Sequence, residues 1–260
     1  MIDTHAHLSG RWKKDPERIR DKCLRAGVKG VILAASNLEE SRENVELGIG
    51  FPKFYLAAAG IHPQQTDPEN MDSIEKQLRE LEEIIIKGGV VAIGETGLDY
   101  SPAPEGEKNR SKAEQEKLFR GQIKISVKYG LPLIIHARKA VSETIEILKE
   151  YEKAKGVFHC WAGGKKRLKQ AVKTGFYFGI DGNVTYEEGL LEVVREIPRG
   201  RLLLETDSPF LTPVPYRGEE NSPAYLAFIG KKIAEIWGVS FEEMERVTEE
   251  NTGKLFSRLK

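Results

Sequence analysis

Eight short apolar runs, a few tens of residues apart, set the tightest limit on how this chain can fold. They cover residues 1–8, 28–35, 54–60, 90–95, 131–136, 156–160, 176–180 and 201–205. Each is aliphatic or β-branched and mostly unbroken by polar residues, as strands buried on both faces are. The stretches between them are charged and carry apolar residues at helical spacing. Val141, Ile145 and Leu148, for instance, fall at i, i+4 and i+7 among Glu and Lys. Strands that alternate with helices predict an α/β chain, and eight such units predict a closed parallel (β/α)8 TIM barrel. Alternation alone also fits a doubly wound open sheet. No Gly/Ser-rich linker divides the sequence, so one domain over residues 1–260 is expected, with one irregular loop at 101–111.

Composition narrows the function classes. Forty Lys plus Arg balance forty Asp plus Glu, which excludes holding nucleic acid or anionic membrane by bulk charge. Any phosphate binding must come from a local patch. Two cysteines, Cys23 and Cys160, cannot build a disulfide framework, so a reducing cytoplasm is expected. No apolar run reaches the roughly 18 residues of a membrane span, and His and Asp stand where a leader would be apolar. No membrane partner is expected, and the chain should be a monomer or weak homo-oligomer. Glu outnumbers Asp by 32 to 8, and Gln and Asn are few, a lean toward a thermophilic source.

The five histidines carry the chemistry. His5 and His7 form an H-x-H pair whose period of two puts both rings on one face of the first strand. Alone, that pair fits hydrogen-bonded histidines as well as a metal site. His62 follows the third strand, His136 ends the fifth and His159 ends the sixth. All five therefore sit at C-terminal strand ends, where a barrel builds its active site. Glu95 closes the fourth strand and Asp207 follows the eighth, although Asp207 before Ser-Pro also reads as a helix cap. Mixed imidazole and carboxylate ligands suit zinc, manganese, iron or, less comfortably, magnesium. Six candidates exceed the four ligands of one catalytic zinc, which points to two ions sharing a carboxylate roughly 3.5–4 Å apart.

Longer motifs surround these residues: Ile-Asp-Thr-His-Ala-His-Leu at 2–8, Gly-Ile-His-Pro at 60–63 and Gly-Glu-Thr-Gly-Leu-Asp-Tyr at 94–100. Ile-His-Ala-Arg at 135–138, His-Cys-Trp-Ala-Gly at 159–163 and Glu-Thr-Asp-Ser-Pro at 205–209 complete them. On these strings the sequence resembles, over essentially its whole length, the TatD family of metal-dependent deoxyribonucleases within the amidohydrolase-like superfamily. The resemblance implies that His5, His7 and Asp207 hold one ion, that His136 and His159 hold the other, and that Glu95 bridges them. Many related amidohydrolases bridge with a carbamylated lysine, so Glu95 favours the nuclease branch. Departures from the family pattern are Trp-Ala after Cys160 in place of Phe-Ser, Lys139 in place of Asp, a longer 101–111 loop, and Glu219 and Glu220 where basic residues are common. None is a predicted ligand, so they bear on substrate preference.

The expected reaction is exonuclease-type hydrolysis of phosphodiester bonds in DNA, with RNA a second candidate. Two divalent ions are expected, Mg²⁺ or Mn²⁺ for activity, with Zn²⁺ also compatible with the ligands. A water between the ions would attack phosphorus, and Asp207 would take its proton. His62, outside the ligand set, would serve a phosphate oxygen or the leaving group, or else pack as a loop histidine. Asp99 would act behind a ligand or cap the next turn, and Glu205 would orient a ligand imidazole. Arg11, Lys13, Lys14, Arg138, Lys139, Lys165, Lys166, Arg167 and Arg217 would form a cationic rim, unless they are only a solvated face. Arg138 and Arg217 are the predicted phosphate binders, Arg217 having the alternative of pairing with Glu219 or Glu220. Trp12 and Trp161 would stack on bases, or Trp161 would belong to the core. Two other functions compete. One is a metal-dependent amidase, esterase or aminoacyl-tRNA deacylase on the same barrel. The other is a nucleic-acid binder with a structural metal.

Overall fold

Each of the eight predicted runs forms a strand. They are β1 Ile2–Ala6, β2 Gly30–Leu33, β3 Tyr55–Ala59, β4 Val90–Asp99, β5 Leu133–Arg138, β6 Gly156–Phe158, β7 Tyr177–Ile180 and β8 Leu202–Leu204. The structure, a computed structural model, describes residues 1–8, 13–66, 73–103 and 109–259. The predicted rim residues Arg11 and Trp12, and positions 104–108 of the long loop, lie outside the described residues. All strands run parallel in one sheet in sequential order. Its two edges meet: Ala6 bridges Ser208 in parallel, His7 N–H donates to the Ser208 carbonyl at 2.7 Å and Asp207 N–H donates to the His5 carbonyl at 2.9 Å. The sheet is a barrel, and the open doubly wound alternative falls. Among the described residues, no helix is long and apolar enough to cross a membrane.

Period two sorts the strands' side chains into two cores. One face packs outward under the helices, with Val31, Leu33, Ile93, Leu133, Ile135, Phe158, Phe178, Leu202 and Leu204 among its residues. The other face forms a smaller cluster of Ile32, Ala58, Ala92, Ile134, Val157 and Leu203, closed off by Leu255 and Phe256. One pleat further along that second face, two residues beyond Ile134, Val157 and Leu203, come His136, His159 and Glu205, and His62 follows beyond the end of β3. The site is thus the next layer up from the apolar filling of the barrel.

β4 departs from its predicted length. It was read as ending at Glu95, yet it runs on to Asp99, pairing Thr96, Gly97, Leu98 and Asp99 with Ile135, His136, Ala137 and Arg138. The register shifts between Ile93 and Thr96, so Glu95 sits at an irregularity inside the strand. Gly97 makes the continuation feasible: its φ is +141°, and a Cβ there would lie 2.0 Å from the His136 carbonyl oxygen. A string that contains Gly97 and Asp99 reads as loop in sequence, which is why this extension was not legible.

Helices Pro16–Arg25, Leu38–Gly50, Ile74–Lys87, Lys112–Tyr129, Val141–Lys149, Lys165–Ala171, Glu188–Glu196, Leu226–Trp237 and Phe241–Leu255 connect the strands and close the chain. Asp15, Asn37, Ser73, Ser111 and Ser240 cap five of them through side-chain oxygens, Ser111 in a capping box with Glu114.

The scarce amide side chains have a particular use. Gln122 clamps Ile61 at both backbone groups, accepting its N–H and donating to its carbonyl, each at 2.9 Å. Gln115, seven residues earlier on the same helix, grips Asp99 in the same way, again at 2.9 Å for both bonds. Asn44 donates to the Leu33 and Ala34 carbonyls, Asn221 to those of Thr206 and Phe210, and Asn251 to those of Arg199 and Leu202. All five are buried, and each satisfies backbone at or next to a strand end where the ladder has run out.

Two stability predictions follow from this packing. Gln122→Leu keeps the volume but strands a buried N–H and carbonyl, and should cost about 2–5 kcal/mol in urea unfolding. Gly179→Ala would set a Cβ 2.1 Å from Glu205 Oε2 and should cost at least about 2 kcal/mol, whereas Gly253→Ala meets nothing within 4 Å and should gain up to about 1 kcal/mol. Equal midpoints for the two glycine variants would contradict this account of the barrel interior.

Candidate metal centre

Glu95 is enclosed by imidazoles. It is 4% exposed, and its two oxygens face different histidines. Oε1 lies 2.6 Å from His136 Nδ1, 3.2 Å from His159 Nε2 and 3.9 Å from His62 Nε2. Oε2 lies 3.5 Å from His7 Nε2 and 3.8 Å from His5 Nε2. Asp207 enters from β8, its Oδ1 at 3.5 Å from His5 Nε2 and 3.8 Å from His7 Nε2. Its backbone φ of +52° turns the chain sharply after the strand, a conformation that Asp tolerates. The structure therefore gathers all six predicted ligands at one end of the barrel.

Their grouping differs in part from the partition that the resemblance implies. Three sets have ligand atoms within 4.8 Å of one another: His5, His7 and Glu95; His5, His159 and Asp207; and His62, Glu95 and His136. His159 reaches across, its ring stacked on His5 at 3.7 Å between centroids. His62, read as lying outside the ligand set, belongs to the third group. Its Nδ1 accepts the Gln64 N–H at 3.2 Å, which leaves Nε2 as the nitrogen facing Glu95.

A further layer fixes these rings. Asp99 Oδ2 lies 2.9 Å from His136 Nε2, while Oδ1 accepts the Ser101 N–H at 2.8 Å and its hydroxyl. Asp99 thus both holds a ligand candidate and ties the following turn. Glu205, fully buried, faces His159 Nδ1 at 3.3 Å and accepts the Cys160 N–H. Asp3 accepts the N–H groups of His5 and Thr206 at 3.2 and 3.0 Å and the Thr206 hydroxyl at 2.6 Å. Sequence reasoning missed Asp3, Gln115, Gln122 and Asn221. The available signals were Asp3 at period two from His5, and the two glutamines seven apart on one helix face.

Burial and charge pull against each other here. Burial alone would raise Glu95, but the charges and hydrogen bonds of His159 and His136 hold its carboxyl well below the usual range. Burial opposes charge on His159 too, yet Glu95 and Glu205 lift it well above an ordinary histidine. Burial pushes Asp207 up to about 6 and His62 down to about 4. Asp99 falls to about 2 because hydrogen bonds from His136 and Ser101 outweigh its burial.

The donor set fits divalent metal. Ligands of a tetrahedral ion with bonds of about 2.1 Å stand roughly 3.4 Å apart. His5 Nε2 and His7 Nε2 lie 3.1 Å apart, and each lies 3.5 to 3.8 Å from Glu95 Oε2 and from Asp207 Oδ1, mostly too long for hydrogen bonds and close to that spacing. Neutral imidazoles and carboxylates are also the ligand types that zinc and manganese take.

The rim is less uniform than the sequence suggests. Lys13 pairs with Glu43, and Lys165 with Glu192 and Glu196, so these two cations are neutralised by acids on neighbouring helices. Arg167 Nε donates to Ser142 Oγ at 3.3 Å. Lys14, Lys139 and Lys166 are exposed, as is Arg138 at the end of β5. Arg217, the predicted phosphate binder with pairing to Glu219 or Glu220 as its alternative, lies 3.9 Å above the Tyr186 ring and donates to its hydroxyl at 3.1 Å, a stacked contact that the sequence did not reveal. Trp161 is 4% exposed and packs on Phe158 and Phe178, so it belongs to the core.

Residues 2–257 match the family described as TatD related DNase. An uncharacterized metal-dependent hydrolase of Bacillus subtilis (strain 168), YabD, is 36% identical over 263 residues, covering 98% of both chains. The 3'-5' ssDNA/RNA exonuclease TatD of Pectobacterium carotovorum subsp. carotovorum (strain PC1) is 32% identical over 269 residues, covering 98% of this chain and 99% of the relative. The crystal structure of YJJV, a TatD homolog from Escherichia coli K12, matches with a TM-score of 0.86 at 26% identity, covering 99% of this chain and 98% of that one. The chain therefore belongs to the TatD family and is a metal-dependent hydrolase.

Proposed function

We propose that this hydrolase cleaves phosphodiester bonds of DNA from a strand end, using two divalent ions, Mg²⁺ or Mn²⁺, in the cytoplasm. The observation that carries the reading is the division of labour on Glu95. One carboxylate oxygen faces His5 and His7, and the other faces His136 and His159. A carboxylate whose two oxygens each have their own imidazole set is what a pair of bridged ions requires. Asp207 would complete the first set. Ions bound there would supply Lewis acidity toward a phosphoryl oxygen and a water acidified toward neutral pH. The exonuclease named among the relatives acts on ssDNA and RNA, which supports the same substrate class here.

The chain's own residues do the rest. Asp207, at the lip of the site beside His5 and His7, receives the proton of the attacking water on its carboxylate. His62 directs Nε2 into the cluster and donates to a phosphate oxygen or to the leaving oxygen. Asp99 and Glu205 hold the rings of His136 and His159 in a fixed orientation, so that the donor set is formed before substrate arrives. Arg138 offers an exposed guanidinium at the end of β5. Arg217, flattened against Tyr186, presents a fork to the phosphate next to the scissile one.

Metal dependence, site variants and salt dependence test the reading. Chelation should abolish hydrolysis of end-labelled single-stranded DNA, and Mg²⁺ or Mn²⁺ should restore it. Metal analysis of the loaded protein should then give two ions per chain, as a bridging carboxylate implies. Glu95→Ala should cost more activity than any single histidine change, because it takes a ligand from both ions, and Glu205→Gln should cost about 10- to 100-fold. Hydrolysis that persists in chelator, or release of an amine or amino acid in place of nucleotide, would favour a different chemistry on this barrel. Arg217→Ala should weaken oligonucleotide binding and lower the slope of log affinity against log salt by about one, with a small activated diester far less affected.

A further inference from the structure

Phe210 is the one phenylalanine of ten that is exposed, with 60% of its surface open. It stands three residues beyond Asp207, and its ring meets His7 edge-on with centroids 6.4 Å apart. The backbone beneath it is pinned on both sides. Its N–H donates to the Asp207 carbonyl at 2.9 Å, and its carbonyl accepts from the Asn221 side chain. The Asn221 N–H donates in turn to the Pro209 carbonyl at 3.0 Å. A phenyl ring left largely in water forgoes the burial that draws apolar side chains into a core, and the backbone beneath this one is fixed by those hydrogen bonds. Holding it there leaves an apolar, flat surface beside His7, one of the candidate metal ligands.

We propose that Phe210 is the floor of a base-binding subsite, on which the nucleobase adjoining the scissile phosphate stacks. This rests on the phosphodiester reading above and adds to it the position of the base. The ring carries no donor or acceptor, so it grips any base by its π face and reads no sequence, as suits an enzyme that removes nucleotides one after another. Fixing the ring in advance also spares the ordering cost of a mobile aromatic at binding.

The test compares single-stranded oligonucleotides whose terminal nucleotide carries a base or is abasic, hydrolysed by the metal-loaded wild type, Phe210→Leu and Phe210→Trp. Leucine keeps apolar area without a π face, and tryptophan keeps both. The wild type should prefer the base-bearing end by roughly tenfold or more in kcat/KM, and the preference should shrink to about twofold in Phe210→Leu and persist in Phe210→Trp. A second readout needs no turnover. With Ca²⁺ in place of the activating ion, a terminal 2-aminopurine should be quenched on binding to wild type and Phe210→Trp, and should stay bright on Phe210→Leu. Equal preference and equal quenching in wild type and Phe210→Leu would overturn the subsite. If quenching follows Phe210 while no oligonucleotide is hydrolysed with any metal, base stacking stands and the nuclease reading fails.

Discussion

One buried carboxylate ties the first strand of the barrel to the last. Asp3 accepts hydrogen bonds from His5 on its own strand and from both the N–H and the hydroxyl of Thr206, 203 residues away. Burial pushes its pKa up to about 8 even though all three bonds favour the charged form. That cost is tolerated because the contact sets the relative position of the two strands that bring His5 and Asp207 within 3.5 Å. With this closure misplaced, two of the six candidate ligands would lose their common frame. The Thr4 hydroxyl, donating to the Leu204 carbonyl at 3.0 Å, braces the same seam.

Above the seam, the barrel solves a packing problem and a polarity problem with the same periodicity. Small residues, Ala58 and Ala92, sit on the inward face of β3 and β4, one pleat below the turn to histidine and glutamate chemistry. They leave the barrel narrow enough for rings from opposite strands to touch, as His5 and His159 do. The strand ends that carry the ligands would otherwise expose unpaired backbone inside the protein. Gln115, Gln122 and Asn221 fill that role from the helices and loops outside, so ligand positions are fixed by hydrogen bonds that reach through the wall.

Much of this was legible in the sequence, for identifiable reasons. Unbroken apolar runs revealed all eight strands because parallel strands buried on both faces leave no polar alternation to confuse. The metal candidates were visible because histidine is rare in this chain and every one falls at a strand end. The continuation of β4 through Glu95 was hidden, since Gly97 and Asp99 are residue types depleted in strands and residues 96–99 are held by pairing with β5. The amide clamps were hidden for another reason: Gln115 and Gln122 lie on a charged helix and find their partners only in three dimensions. The contact of Arg217, a predicted phosphate binder, with Tyr186, 31 residues earlier, was hidden because the two meet only once the loops fold together.

Electrostatics then separates the site from the rest of a neutral molecule. Away from the mouth, cations are matched within their own neighbourhoods: Lys29 with Glu249, Arg120 with Glu150, Lys128 with Glu82 and Arg246 with Glu243 and Glu250. Such exposed pairs add little stability, but they cancel the field that would otherwise draw a polyanion to the wrong face. Arg138 at the end of β5, Lys139 just beyond it and Lys166 in the first turn of the helix after β6 are exposed, on the side where His136 and His159 enter. Beyond a Debye length of about 8–10 Å the paired faces are screened to near silence, while these residues and a metal-loaded cluster would still present positive charge to a strand that comes close. A chain with no net charge can therefore still concentrate positive charge at one place, the barrel end where the candidate metal ligands converge.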